Sequence, residues 1–146
     1  MIDFEYWLSN LVGTCELIAS ETAFQKVWVE RDYSFTSIHY YDELYVQLVD
    51  GLHIDELVTE FAPRIGDQGT IASLLEFARS LHILDASIEG KPALKDPEVL
   101  LSSPEWRLFQ QAARKVVKSP GAATFRDGRR NEEILARLNA EHHKRA

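Results

Sequence analysis

Apolar residues recur at the three- and four-residue spacing of an α-helix along most of this chain. In the first stretch, for example, Trp7, Leu8, Leu11 and Cys15 fall on one face of a helix. Such a stripe must be buried against another element, so several stripes in one short chain predict helices packed around a shared core. The stripes indicate helices over residues 4–19, 41–50, 55–62, 70–82 and 102–119, and a marginal one over 131–143.

Two other stretches favour short β-hairpins. Residues 24–38 contain two runs rich in β-branched and aromatic residues, which are typical of strands. A helical continuation that pairs Phe24 with Trp28 remains the alternative for the first run. Residues 83–94 carry a Glu-Gly-Lys-Pro turn signal between two short apolar runs. We therefore expect an α+β fold that is predominantly helical, with five or six amphipathic helices and one or two short β-hairpins.

Polar residues before the apolar stripes indicate where the helices begin. Asp3 and Thr70 have side chains that can cap a helix N-terminus. Ser102 has capping-box spacing to Glu105, which predicts the start of the helix that ends near residue 119. A proline interrupts helical hydrogen bonding, so the helix 55–62 is expected to end before Pro63.

The length of 146 residues fits one domain, which we expect to comprise residues 1–120. Residues 121–146 have the composition of a basic linker followed by the marginal helix. No apolar run approaches the roughly 20 residues that span a bilayer. The acidic start MIDFEYWLSN lacks the basic region of a secretory signal. With a single cysteine, no intramolecular disulfide can form, and these features together predict a cytoplasmic protein.

The formal net charge of −7 is unevenly distributed along the chain. Residues 1–101 contain 18 Asp and Glu but 6 Lys and Arg, whereas residues 102–146 contain 5 Asp and Glu and 10 Lys and Arg. The acidic residues concentrate in residues 32–63, which hold seven carboxylates and no Lys or Arg. A negative field that is not neutralised locally can steer a cationic partner. A solvated acidic face that only aids solubility is the alternative.

Tyrosines lie among these carboxylates, and tyrosine is a frequent anchor of protein interfaces. Tyr41 and Tyr45 fit core positions of the helix 41–50, so the exposed candidates are the other two tyrosines of the segment. We predict a partner-binding surface formed by Asp32, Tyr33, Tyr40, Asp42, Glu43, Asp50, Asp55, Glu56 and Glu60.

The sequence contains no motif typical of an enzyme, a metal site or a cofactor site. Cys15 falls on a buried helix face, where cysteine acts as a small hydrophobe. No Cys-x-x-Cys, His-Glu-x-x-His, Gly-x-Ser-x-Gly or glycine-rich phosphate loop is present. The carboxylate pairs at 42–43 and 55–56 stand near helix N-termini, where acidic residues favour the helix dipole. We therefore expect a noncatalytic protein without a cofactor or metal.

C-terminal cations such as Arg126, Arg129 and Arg130 could contact phosphates of a nucleic acid. The segment has Phe125 as its one aromatic residue, and the acidic remainder of the chain would repel nucleic acid. We therefore favour a protein as the partner, with no membrane contact.

The small acidic, tyrosine-rich body resembles bacterial immunity proteins of contact-dependent growth inhibition systems. The strings SFTSIHYYDELYVQLVDGLHIDELV, residues 34–58, and SSPEWRLFQQAARKVV, residues 102–117, carry this resemblance. It implies that the protein binds and neutralises a cognate toxin, often a basic nuclease, through an acidic surface that mimics or blocks the toxin's substrate.

A second resemblance is to winged-helix modules, including the leader-peptide-binding domains of peptide-modifying pathways. Helices 41–50, 55–62 and 70–82 would be followed by a wing at residues 83–94, and the string DGLHIDELV, residues 50–58, looks like the entry to the second helix. A DNA-binding winged helix requires cations on its recognition helix, and residues 70–82 offer only Arg79. This alternative therefore implies a peptide or protein ligand, with nucleic acid as the less favoured ligand.

Overall fold

The computed structural model describes residues 2–125, and these residues are mainly helical. The helices are α1 (Phe4–Ala19), α2 (Tyr41–Val46), α3 (Ile54–Ile65), α4 (Gln68–Gly90), α5 (Pro97–Leu101), α6 (Pro104–Lys118) and α7 (Pro120–Phe125). Two π-helical turns, Gln25–Val29 and Gln47–Gly51, and one 3-10 turn, Pro92–Lys95, complete the elements. The marginal helix expected at 131–143 lies outside the described residues.

Helix α1 is the centre of the core, because every residue from 11 to 18 is buried. Its middle is therefore enclosed on all sides, although the apolar stripe alone predicts burial of one face. Helix α6 packs against α1, α4 packs against α6, and α3 packs against α4. Aromatic rings fill the junctions: Phe61 contacts Trp7 with ring centroids 5.2 Å apart, and Phe77 stacks on Phe109 at 5.1 Å.

The β-hairpin expected at residues 24–38 is not present. Residues 25–29 form a π-helical turn, and residues 30–40 form an irregular segment. The helical alternative is observed here, since Phe24 stacks on Trp28 with ring centroids 4.3 Å apart. The indole N–H of Trp28 donates to the carbonyl of Ile38 at 3.0 Å, which folds the segment back on itself without strand pairing. Tertiary burial of these aromatic and β-branched residues overrides their strand propensity.

The second expected hairpin, at residues 83–94, is also absent, and so is the wing that it would form. Helix α4 continues to Gly90 because Leu84 and Ile88 extend its buried stripe by two further turns. The 3-10 turn then begins at Pro92. An α+β fold is therefore wrong for the described residues, which contain no strand.

Several helix ends differ from the prediction by a few residues. Asp3 caps α1 as expected, accepting from the Tyr6 amide at 3.0 Å. Asp67 rather than Thr70 caps α4, and Ser103 rather than Ser102 caps α6. Helix α3 does not end before the proline at position 63 but continues to residue 65.

Helix α7 occupies the first residues of the segment that composition marks as a linker. It packs against α1 and α4. The Gly121 amide donates to the Thr70 hydroxyl at 2.9 Å, and a Cβ on this glycine would lie 2.8 Å from the same oxygen. Only glycine permits this close approach.

None of the helices within residues 2–125 is long and apolar enough to cross a membrane.

Candidate functional site

Helices α2, α3 and α4 together present a face rich in tyrosine and carboxylate, and Tyr45 on α2 lies at its centre. Its ring stands 6.5 Å from that of Tyr41 and 6.3 Å, edge to face, from that of His82 on α4. Partial burial raises the pKa of the Tyr45 hydroxyl above 10. The negative charges of nearby carboxylates raise this pKa further, namely those of Asp85, Asp55, Asp50 and Glu89. We call Tyr41, Tyr45, Asp50, Asp55, Asp85 and Glu89 the acidic tyrosine face.

Two side-chain contacts hold this face together. The Tyr41 hydroxyl donates to Asp85 Oδ1 at 2.9 Å, which joins α2 to α4. Burial raises the pKa of the Tyr41 hydroxyl well above its usual value, and its hydrogen bond to Asp85 raises it further. Asp55 Oδ1 lies 2.6 Å from His82 Nε2, which joins α3 to α4. Two carboxylates of the face, Asp85 and Asp55, are therefore held by side-chain contacts between helices.

The predicted site residues fall into three groups in the structure. Two of them have local structural roles: Glu43 accepts from the His39 amide at 3.1 Å, and Asp32 accepts from the amide and hydroxyl of Ser34. Two of them, Asp50 and Asp55, are among the carboxylates that act on Tyr45. The others are exposed: Tyr33, Tyr40, Asp42, Glu56 and Glu60. Of these exposed residues, Glu56 lies 3.8 Å from His53 on its own helix turn.

The contribution of α4 to this face is not evident from the cationless segment. His82, Asp85 and Glu89 all come from beyond the cationless segment 32–63. Their spacing of three and four residues would have placed them on one helix face. The prediction of a hairpin at residues 83–94 does not place these three residues on one helix.

A cleft of about 520 Å³ opens beside the acidic tyrosine face, between residues 31–42 and the segment from the end of α4 to α5. Its aromatic lining comprises Trp28, Tyr33, His39, Tyr40 and Tyr41. Its charged lining comprises Arg31, Asp42, Asp85, Glu89 and Lys95. We call it the tyrosine cleft.

The walls of the tyrosine cleft leave two tyrosine rings open to solvent. Tyr33 is 48% exposed and stacks on His39 with ring centroids 4.4 Å apart, while Tyr40 is 53% exposed. The backbone of Arg31, at the edge of the cleft, has a φ of 61°. This left-handed conformation costs a residue other than glycine roughly 1–2 kcal/mol, and such strain is often retained at binding sites.

Cys15 lies in the core, where burial raises the pKa of its thiol well above 9.0 and keeps it protonated. Within residues 2–125, no group of three or more His, Cys, Asp or Glu side chains is arranged to hold a metal ion. Both side chains of the Asp55–His82 pair are exposed to solvent.

Comparisons with known proteins do not place the chain in a family: no protein-family model, no curated protein and no solved structure matches it.

Proposed function

We propose that this protein binds a basic protein partner through the acidic tyrosine face and has no catalytic activity of its own. In its most specific form, the proposal is an immunity protein that neutralises a basic, nuclease-type bacterial toxin. The observation that carries it is the placement of four carboxylates, from three elements, near enough to the Tyr45 hydroxyl for their negative charges to raise its pKa. The segment that supplies two of them, residues 32–63, has no Lys or Arg to neutralise the field.

Two physical arguments support a protein partner. Clustered charges of one sign raise the association rate with a partner of opposite charge, and tyrosines supply large contact areas with little loss of side-chain entropy. Asp85 is held by its bond to Tyr41 and Asp55 by its contact with His82, so these two carboxylates lose little further freedom on binding, and less of the binding free energy is spent on ordering. The winged-helix alternative requires a wing at residues 83–94, which form no hairpin, so we favour the protein-binding proposal.

The proposal predicts that the protein rescues cells from a toxin encoded beside its gene, and that charge reversal on the face and the adjoining tyrosine cleft abolishes rescue. Asp42→Lys with Glu89→Lys reverses two exposed carboxylates that line the tyrosine cleft, and Glu89 also belongs to the face. We expect toxin affinity to fall at least about a hundredfold, since like charges across an interface cost several kcal/mol. Growth of cells that co-express the toxin, and calorimetry with the purified toxin domain, measure the two effects.

The matched control is Glu5→Lys with Glu98→Lys, which changes the net charge by the same amount. Glu5 and Glu98 are exposed residues in the first turns of α1 and α5, outside the face and the cleft. The control should rescue as well as the unchanged chain. Rescue by the Asp42→Lys, Glu89→Lys chain, or binding that both double variants weaken equally, would contradict the proposed surface.

A further inference from the structure

The tyrosine cleft adds a feature that a merely acidic surface lacks, namely a concave site walled by aromatic rings. Its volume of about 520 Å³ is sufficient for an extended side chain together with the backbone that carries it. Tyr33 and Tyr40 leave about half of each side chain uncovered although they line the cleft. Aromatic rings held open in this way offer flat surfaces on which a planar group can stack.

We propose that the tyrosine cleft receives one arginine side chain of the partner, an inference that rests on the proposed function. A guanidinium group is planar and weakly hydrated, and it stacks on aromatic rings while its N–H groups reach carboxylates. Tyr33 and Tyr40 provide the rings. Asp42 and Asp85 provide carboxylates within the same cleft.

Asp85 is the carboxylate best placed to hold the guanidinium. It is half-buried, and its Oδ1 accepts the Tyr41 hydroxyl. Its Oδ2 accepts no hydrogen bond from any side chain within residues 2–125. The bond to Tyr41 orients the carboxylate before the ligand arrives, so little ordering remains to be done on binding.

Two cations, Arg31 and Lys95, also line the cleft and oppose a positively charged ligand. Both are exposed, so solvent weakens their repulsion. Three carboxylates, Asp42, Asp85 and Glu89, outnumber them. The two cations provide a discriminating test, because their removal strengthens binding of a cation and weakens binding of an anion.

The test uses the full chain alone, with N-acetylarginine amide as the probe and N-acetylcitrulline amide as its uncharged isostere. In an NMR titration at low ionic strength, we expect the arginine probe to shift the ring resonances of Tyr33 and Tyr40. The citrulline probe should bind roughly tenfold more weakly, because it lacks the charge that the rings and carboxylates attract. Equal binding of the two probes, or tighter binding of N-acetyllysine amide, would overturn the inference.

Variants inside and outside the cleft show whether the arginine probe binds there. Tyr33→Ala with Tyr40→Ala should weaken the arginine probe about tenfold, since two stacking surfaces are lost. Tyr6→Ala removes a tyrosine that is 59% exposed on α1, outside the cleft, and should leave binding unchanged. Arg31→Gln with Lys95→Gln should tighten binding. Weaker binding in that last variant would show an anion site instead and overturn the inference.

The cleft and the proposed function can fail separately. If a toxin binds tightly and the Tyr33→Ala, Tyr40→Ala chain binds it equally well, the cleft inference is wrong while the proposed function stands. If the arginine probe binds in the cleft but no toxin encoded beside the gene is neutralised, the cleft inference stands and the proposed function is wrong.

Discussion

Single hydroxyl and carboxylate groups decide how the acidic tyrosine face is held. The bond from Tyr41 to Asp85 joins two helices that are distant in sequence. Because the Tyr41 proton is held by this bond in a half-buried place, the folded chain gives it up at a higher pH than the unfolded chain does. Because of this difference, the free energy of unfolding depends on pH in the alkaline range.

The direction of that link follows from counting protons. An unfolded tyrosine ionises near pH 10, whereas Tyr41 in the folded chain stays protonated above that pH. The folded state then binds more protons than the unfolded state, so the free energy of unfolding falls as the pH rises above about 10. The stabilisation is fully present below that pH.

We therefore expect Tyr41→Phe to lower the free energy of unfolding by about 1 kcal/mol at pH 7, where one hydrogen bond is lost. Above pH 10 the difference between the two chains should shrink, because the variant has no proton to lose at this position. Urea unfolding at a series of pH values measures both effects, and Cys15, present in both chains, cancels from the comparison. A difference that grows above pH 10 would contradict this assignment.

At the scale of single residues, the sequence indicates which carboxylates lie in one segment but not which contact each carboxylate makes. The cationless segment includes Asp50 and Asp55, whose negative charges raise the pKa of the Tyr45 hydroxyl. The sequence could not show that the Glu43 carboxylate accepts a hydrogen bond from the His39 amide, since that contact depends on the path of an irregular segment. Nor could it assign Asp85, which meets the segment only through tertiary packing.

Among the elements, helix periodicity was a better guide than local turn signals. The stripe of α4 continues through Leu84 and Ile88, but the Glu-Gly-Lys-Pro string near its end suggested a hairpin. The stripe prevailed because those two side chains are buried in the core, and burial of large apolar side chains outweighs a turn preference. The string instead ends the helix. Composition alone does not reveal which of these two outcomes applies.

The extension of α4 predicts the cost of a glycine in its second half. Ala86 is exposed within the helix, so Ala86→Gly should lower the free energy of unfolding by about 1 kcal/mol through helix propensity. Ala72→Gly, at an exposed position in the first half of the same helix, is the matched control and should cost a similar amount. Chemical denaturation measures both. A cost at residue 86 close to zero, beside a full cost at residue 72, would show that α4 ends before residue 86.

At the scale of the whole molecule, carboxylates of the acidic segment 32–63 and of α4 lie on one face, the acidic tyrosine face. Five of the six predicted helical stripes lie in the described residues, and each of the five corresponds to a helix there. The stripes contain no information about which helices lie side by side. The acidic tyrosine face combines residues of α2, the π-helical turn Gln47–Gly51, α3 and α4, and for that reason one linear segment described only part of it.

The central claim is that this face attracts a basic partner, and the association rate with the toxin domain tests it most directly. Stopped-flow measurements from about 0.01 M to 0.15 M salt span Debye lengths from roughly 30 Å to 8 Å. We predict that the association rate constant falls about tenfold or more over this range, and that the Asp42→Lys, Glu89→Lys chain shows a much smaller dependence. A rate constant that does not change with salt, or that changes equally in both chains, would contradict the account.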